Sequence, residues 1–144
     1  MILRIKKYFE ARLLITSTES QEGINEKLKL SCATLMLEMV HADGQSHEKE
    51  EQKIRSLLQK QFKLSQGETD ELLAMAHEEK TSATDHYQFT RLINQHYTQQ
   101  QKITLVEQLW HIAYADDNID KFEEHLVRNL AEQLHVPHRH FMQR

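Results

Sequence analysis

Four carboxylates stand where side-chain type and spacing could do chemistry: Asp43, Glu50, Asp116 and Glu123. The runs Ala42-Asp43-Gly44 and Ala115-Asp116-Asp117 each close an apolar stretch, and Glu50 or Glu123 follows seven residues after its Asp. Carboxylates gathered where one helix ends and the next begins can do two things. They can cap, with Glu50 and Glu123 reaching back to the free amides of the second helix, Asp120 as its N-cap, and Asp43 and Asp116 bonding turn amides. Capping alone explains the spacing. They can also make oxygen-rich sites for a hard cation such as Ca²⁺ or Mg²⁺, with Glu51, Asp117, Asp120 and Glu124 as further donors. Neither stretch fits the twelve-residue EF-hand loop, which needs Asp or Asn at alternate positions, a central Gly and a final Glu.

The elements that must position these groups repeat. At a separation of 73 residues, Asp43 falls on Asp116, Glu50 on Glu123, Glu51 on Glu124, Ile54 on Val127, Arg55 on Arg128 and Leu57 on Leu130. Two copies of one acidic helix-turn-helix are therefore expected inside a single domain. Around them the apolar periodicity predicts helices over about 24–42, 48–61, 66–80, 87–97, 99–115 and 121–134. Ser65 with Glu68, Thr98 with Gln101 and Asp120 with Glu123 supply capping-box signals. Residues 1–15 read as a basic amphipathic helix with Ile2, Leu3, Ile5, Phe9, Leu13 and Leu14 largely on one side. Residues 16–23 read as a polar linker, 24–144 as the helical domain proper, and 138–144 as room for one short terminal turn.

Composition agrees with an all-α chain. At 144 residues with one Pro, three Gly and 39% apolar residues, there is enough chain for one core and little turn chemistry to serve a sheet. The fold expected is a compact bundle of seven to eight helices with pseudo-twofold organisation. The single cysteine, Cys32, lies inside an apolar helical run, which predicts a small buried hydrophobe, no disulfide and a reducing compartment. No stretch approaches a membrane span and no signal peptide is legible, so a cytoplasmic location is expected. The net charge of −4 is segregated: residues 1–15 carry +3, which leaves −7 on the remainder. An acidic body disfavours nucleic acid. The basic segment 1–14 suits an anionic membrane surface, an acidic protein partner, or a packed helix with a solvated face.

Ten histidines raise the alternative of a transition metal. None stands in an H-E-x-x-H pattern or beside a cysteine. His41 and His47 flank the first acidic turn, and His135, His138 and His140 gather near the C-terminus; solvated helix and tail positions account for them, adventitious Zn²⁺ or Ni²⁺ binding being the other reading. Trp110, Met36 and Met39 are assigned to core packing, and Phe122, Leu126, Val127, Leu130 and Leu134 to the apolar side of the last helix. There is no phosphate-binding Gly-rich loop, and no Ser/His/Asp or Cys/His set for nucleophilic catalysis. A non-enzymatic module is the expectation.

The run Leu35-Met36-Leu37-Glu38-Met39-Val40-His41-Ala42-Asp43-Gly44 with Glu50, and Leu109-Trp110-His111-Ile112-Ala113-Tyr114-Ala115-Asp116-Asp117 with Glu123, resembles the tellurite-resistance protein B (TerB-like) family. The resemblance covers about residues 24–143. It departs from the family motif where Asp117 replaces the second Gly and where His47 stands in place of the usual Ser, Thr or Asp cap. It implies an all-helical bacterial protein of stress or tellurite-resistance systems, binding a metal ion or a protein partner and working near the membrane. Asp43, Glu50, Asp116 and Glu123 are then the metal ligands, with Ca²⁺ or Mg²⁺ preferred over Zn²⁺. A metal-dependent hydrolase and a purely structural scaffold are the rival expectations.

Overall fold

The computed structural model describes residues 21–40, 48–82, 87–115 and 121–137. These form six helices and no strand: α1 Gln21–Val40, α2 Glu48–Phe62, α3 Gln66–Ser82, α4 Tyr87–His96, α5 Gln99–Ala113 and α6 Lys121–Gln133. The all-α expectation holds. The described helices number six rather than seven or eight; the basic segment 1–15 and the terminal turn 138–144 lie outside the described residues.

α1 is the axis of the bundle and packs against each of the other five helices. Fifteen of its 20 residues are buried, on every side of the helix. The apolar residues Leu28, Leu30, Leu35, Met36, Leu37, Met39 and Val40 do most of this, each worth about 1.5–3 kcal/mol of burial for the larger side chains. Polar α1 residues are buried too. Thr34 Oγ1 satisfies itself by donating to the Leu30 carbonyl at 2.7 Å, and Glu26 pairs with Lys29 at 3.3 Å. The helix begins at Gln21, three residues earlier than its periodicity suggested, so Gln21, Glu22 and Gly23 are helical. Gln21 Nε2 donates to Asn25 Oδ1 one turn on, at 3.0 Å, and Gly23 is buried.

Two of the three capping boxes are described, and both form as the sequence indicated. Ser65 Oγ accepts from the Glu68 amide at 3.1 Å while the Ser65 amide donates to Glu68 Oε1 at 2.9 Å, starting α3. Thr98 and Gln101 exchange the same pair of bonds at 3.2 and 2.8 Å, starting α5. Asp120 lies outside the described residues.

α2 and α6 end alike. Lys63 (φ 55°) and His135 (φ 61°) turn into the left-handed region, and the next amide in each, Leu64 or Val136, donates to a carbonyl five residues back, Gln59 or Ala131, at 3.2 and 2.9 Å. That closure satisfies helix-end carbonyls and returns an apolar side chain toward the core. The α6 end is tied further: Asn94 Nδ2 donates to the Gln133 carbonyl at 2.9 Å, and Gln99 Nε2 to that of His135 at 3.1 Å.

Phe122 departs from its expected place. The sequence put it on the apolar side of the last helix with Leu126, Val127, Leu130 and Leu134, yet it is 69% exposed. In the helical period, Val127, Leu130 and Leu134 form the buried stripe, and Phe122 lies to one side of it.

Candidate functional site

Glu50 and Glu123 are each the third residue of their helix, α2 and α6. Both are buried, at 0% and 2% exposure. A capping role needs no such burial: Gln101, which closes a described box, is exposed, and the Glu68 bonds that close the other lie at the surface. A carboxylate out of water is costly unless partners answer its charge. The helix N-terminus supplies part of the answer, since its dipole and free amides favour negative charge. Their oxygen-only chemistry suits a hard divalent cation.

The other acidic residues near these helix starts divide. Glu48 and Glu51 in the first turn of α2 are exposed. Glu124 is half-buried and holds Arg128, with Oε1 3.3 Å from Nε and 3.2 Å from Nη2. Asp43, Asp116, Asp117 and Asp120 lie outside the described residues, as do His41, His47, His138 and His140. Among the described residues no three His, Cys, Asp or Glu side chains come together as a metal set. His135 is exposed at the left-handed end of α6 and is engaged through its backbone carbonyl.

Cys32 is fully buried in α1 with its Sγ 3.3 Å from the Tyr97 hydroxyl. Burial pushes the thiol up to about 11, against the smaller lowering effect of the Tyr97 hydrogen bond. The same burial, with Cys32 beside it, raises Tyr97. A thiol so protonated is no nucleophile. Among carboxylates, Glu68 is held below its usual range by the Ser65 amide, and Glu79 is raised by burial and by its neighbour Glu78.

Sequence reading missed two surface features. One is a groove of about 510 Å³ between α2 and α5, walled by Leu57, Gln61, Tyr97, Thr104 and Gln108, in which Gln108 Nε2 donates to Gln61 Oε1 at 2.7 Å. The other is an aromatic and cationic cluster on α5 and α6. Trp110 stacks on Tyr114 (centroids 5.9 Å apart, planes at 27°), and the Arg128 guanidinium lies 5.8 Å from the centre of a Trp110 ring. Trp110 was assigned to the core and is only partly buried there. The four-residue spacing of Trp110 and Tyr114 was the available signal, since it puts two aromatics one above the other on a helix.

Among the described residues no helix is long and apolar enough to cross a membrane. Comparison with curated proteins and with solved structures gives no match. A family model described as tellurite resistance protein TerB matches residues 29–144. Taking in most of α1 and the whole of α2 to α6, that match makes the chain a member of the tellurite resistance protein TerB family.

Proposed function

We propose that the protein is a non-enzymatic helical module of tellurite-resistance and stress systems, built from two copies of one acidic helix-turn-helix, each holding a divalent cation. The duplication is supported by burial as well as by sequence. Five pairs of residues 73 apart are buried in both copies: Met36 and Leu109, Met39 and Ile112, Glu50 and Glu123, Ile54 and Val127, and Leu58 and Ala131. The left-handed closures of α2 and α6 are alike in form but lie 72 residues apart, one residue out of this register.

The observation that carries the cation reading is the burial of Glu50 and Glu123 at matching places. In each copy the buried Glu, with Asp43 or Asp116 from the preceding turn, would supply oxygen donors to Ca²⁺ or Mg²⁺, and Zn²⁺ would be the poorer fit. The cation would neutralise like charges crowded at a helix start and so set the turn for a protein partner. Calorimetric titration of the full chain with Ca²⁺, Mg²⁺, Mn²⁺ and Zn²⁺ tests this. Binding of a hard cation, a rise in melting temperature by mass action, and a halved stoichiometry with a smaller rise in Asp116→Asn are expected. An unmoved melting curve at millimolar Ca²⁺ and Mg²⁺ would retire the cation and leave a capped, ligand-free scaffold. Turnover of an ester or peptide substrate by the cation-loaded protein would favour a metal-dependent hydrolase instead.

A further inference from the structure

α3 covers one side of the α1–α2 pair, and the three helices enclose a cleft of about 280 Å³ that includes Leu37, Glu51, Arg55, Asp70, Leu73 and His77. Leu37 is sealed at 1% exposure. The Arg55 guanidinium crosses from α2 to the Asp70 carboxylate of α3. An arginine on the second helix of the pair and an apolar residue on the first thus receive a third helix, which brings a carboxylate and, three residues later, a leucine.

Moving 73 residues along, Leu37 becomes Trp110, Glu51 becomes Glu124 and Arg55 becomes Arg128. These three meet again: Arg128 lies over Trp110 and is paired with Glu124. Among the described residues no helix follows α6 as α3 follows α2. The cluster reaches the surface. Tyr114 is 53% exposed, and the Arg128 and Glu124 side chains are 36% and 44% exposed. Where the covered side has aliphatic Leu37, the open side has a tryptophan stacked on a tyrosine with an arginine above it, the residue types that concentrate binding energy at protein interfaces.

We propose that this side of α5–α6 docks an acidic amphipathic helix of a partner protein, in the place that α3 takes on α1–α2. The docked helix sets a carboxylate against Arg128 and, one turn later, an apolar side chain across Trp110 and Tyr114. Arg128 can receive it. A guanidinium has five donors, and an ion pair as exposed as that with Glu124 is weak enough to be shared or exchanged. The mode is helix-in-groove recognition, with anchors at one-turn spacing. The inference rests on the duplication proposed above for its choice of partner, and on the cluster itself for its location.

The template is in the molecule, so the probe can be taken from it: a synthetic peptide with the sequence of residues 65–82, labelled with a fluorophore at its N-terminus and titrated with the full chain. Trp110 is the only tryptophan, so its emission reports the site directly. Saturable binding with a shift in Trp110 emission is expected. Arg128→Glu should weaken it about tenfold or more, and the Asp70→Lys version of the peptide should recover affinity for that variant. Arg128 is exposed enough for the variant to fold, which circular dichroism would verify. No saturable binding, or binding that ignores both charge reversals, would overturn the docking site; so would binding that leaves Trp110 emission unmoved, since the peptide would then be replacing the protein's own α3. The duplication is read separately. An experimental structure in which residues 35–58 fail to superpose on 108–131 would remove the duplication while a charge-swapped binding result stood, whereas good superposition without binding would remove the docking site alone.

Discussion

The thiol of Cys32 in α1 and the hydroxyl of Tyr97, in the turn between α4 and α5, lie 3.3 Å apart. Burial raises both groups, the thiol to about 11 from 9.0. An acid whose folded value is raised contributes stability that is fully present below its unfolded value and is lost as pH climbs through the folded one. Unfolding free energy should therefore fall by about 2 kcal/mol between pH 9 and 11 on account of Cys32. Urea titrations across that range, repeated on Cys32→Ala, should show a flatter decline in the variant. At pH 8 a thiol reagent should label the native protein only as fast as it unfolds; prompt labelling would contradict the buried pair.

Thr98→Ala removes the acceptor for the Gln101 amide at the start of α5 and should cost about 1 kcal/mol. Gln101→Ala should cost less, because the Thr98 amide that it leaves can turn to water at this exposed site. Chemical denaturation of the two variants gives the order directly, and a reversed order would show that the reciprocal bond is the stronger half of the box.

Leu109 and Phe122 make opposite predictions from similar chemistry. Leu109 is fully buried in α5, so Leu109→Ala should destabilise by about 3 kcal/mol through lost burial and a residual cavity. Phe122, at 69% exposure, should tolerate serine within about 0.5 kcal/mol. A large loss at Phe122 would mean that it is covered in solution.

The fold was legible where one residue's chemistry fixes a local outcome. Ser65 and Glu68, or Thr98 and Gln101, satisfy each other whatever surrounds them, so their helix starts could be placed from sequence alone. Periodicity was less reliable where burial is set by more than one neighbour. α1 is enclosed on all sides, which no single apolar stripe announces, and Phe122 has the right residue type at the wrong angle for the α6 stripe. Of the candidate site, Glu50 and Glu123 were found by their recurrence at fixed spacing, but their burial depends on how α2 and α6 tuck their first turns inward, a tertiary fact. The spacing of Trp110 and Tyr114 announced their stacking, but Arg128 joins them from another helix, which no reading along one helix shows, although the three lie 73 residues on from Leu37, His41 and Arg55.

If the two acidic turns are equivalent sites, their occupancy should divide cleanly. Glu50→Gln and Glu123→Gln keep side-chain size and one acceptor oxygen while removing the charge a cation needs, and glutamine still closes a capping box. Each single variant should halve the calorimetric stoichiometry for Ca²⁺ or Mg²⁺ and lower the cation-dependent rise in melting temperature, and the double variant should show neither. The two substitutions sit on different helices, α2 and α6, and should act independently, so that their effects on cation-dependent stability add. Should one variant abolish all binding while the other leaves it intact, a single site would replace the pair. Should neither change the titration while both still unfold cooperatively, the buried carboxylates are structural, and the repeated acidic turn is a device for starting helices.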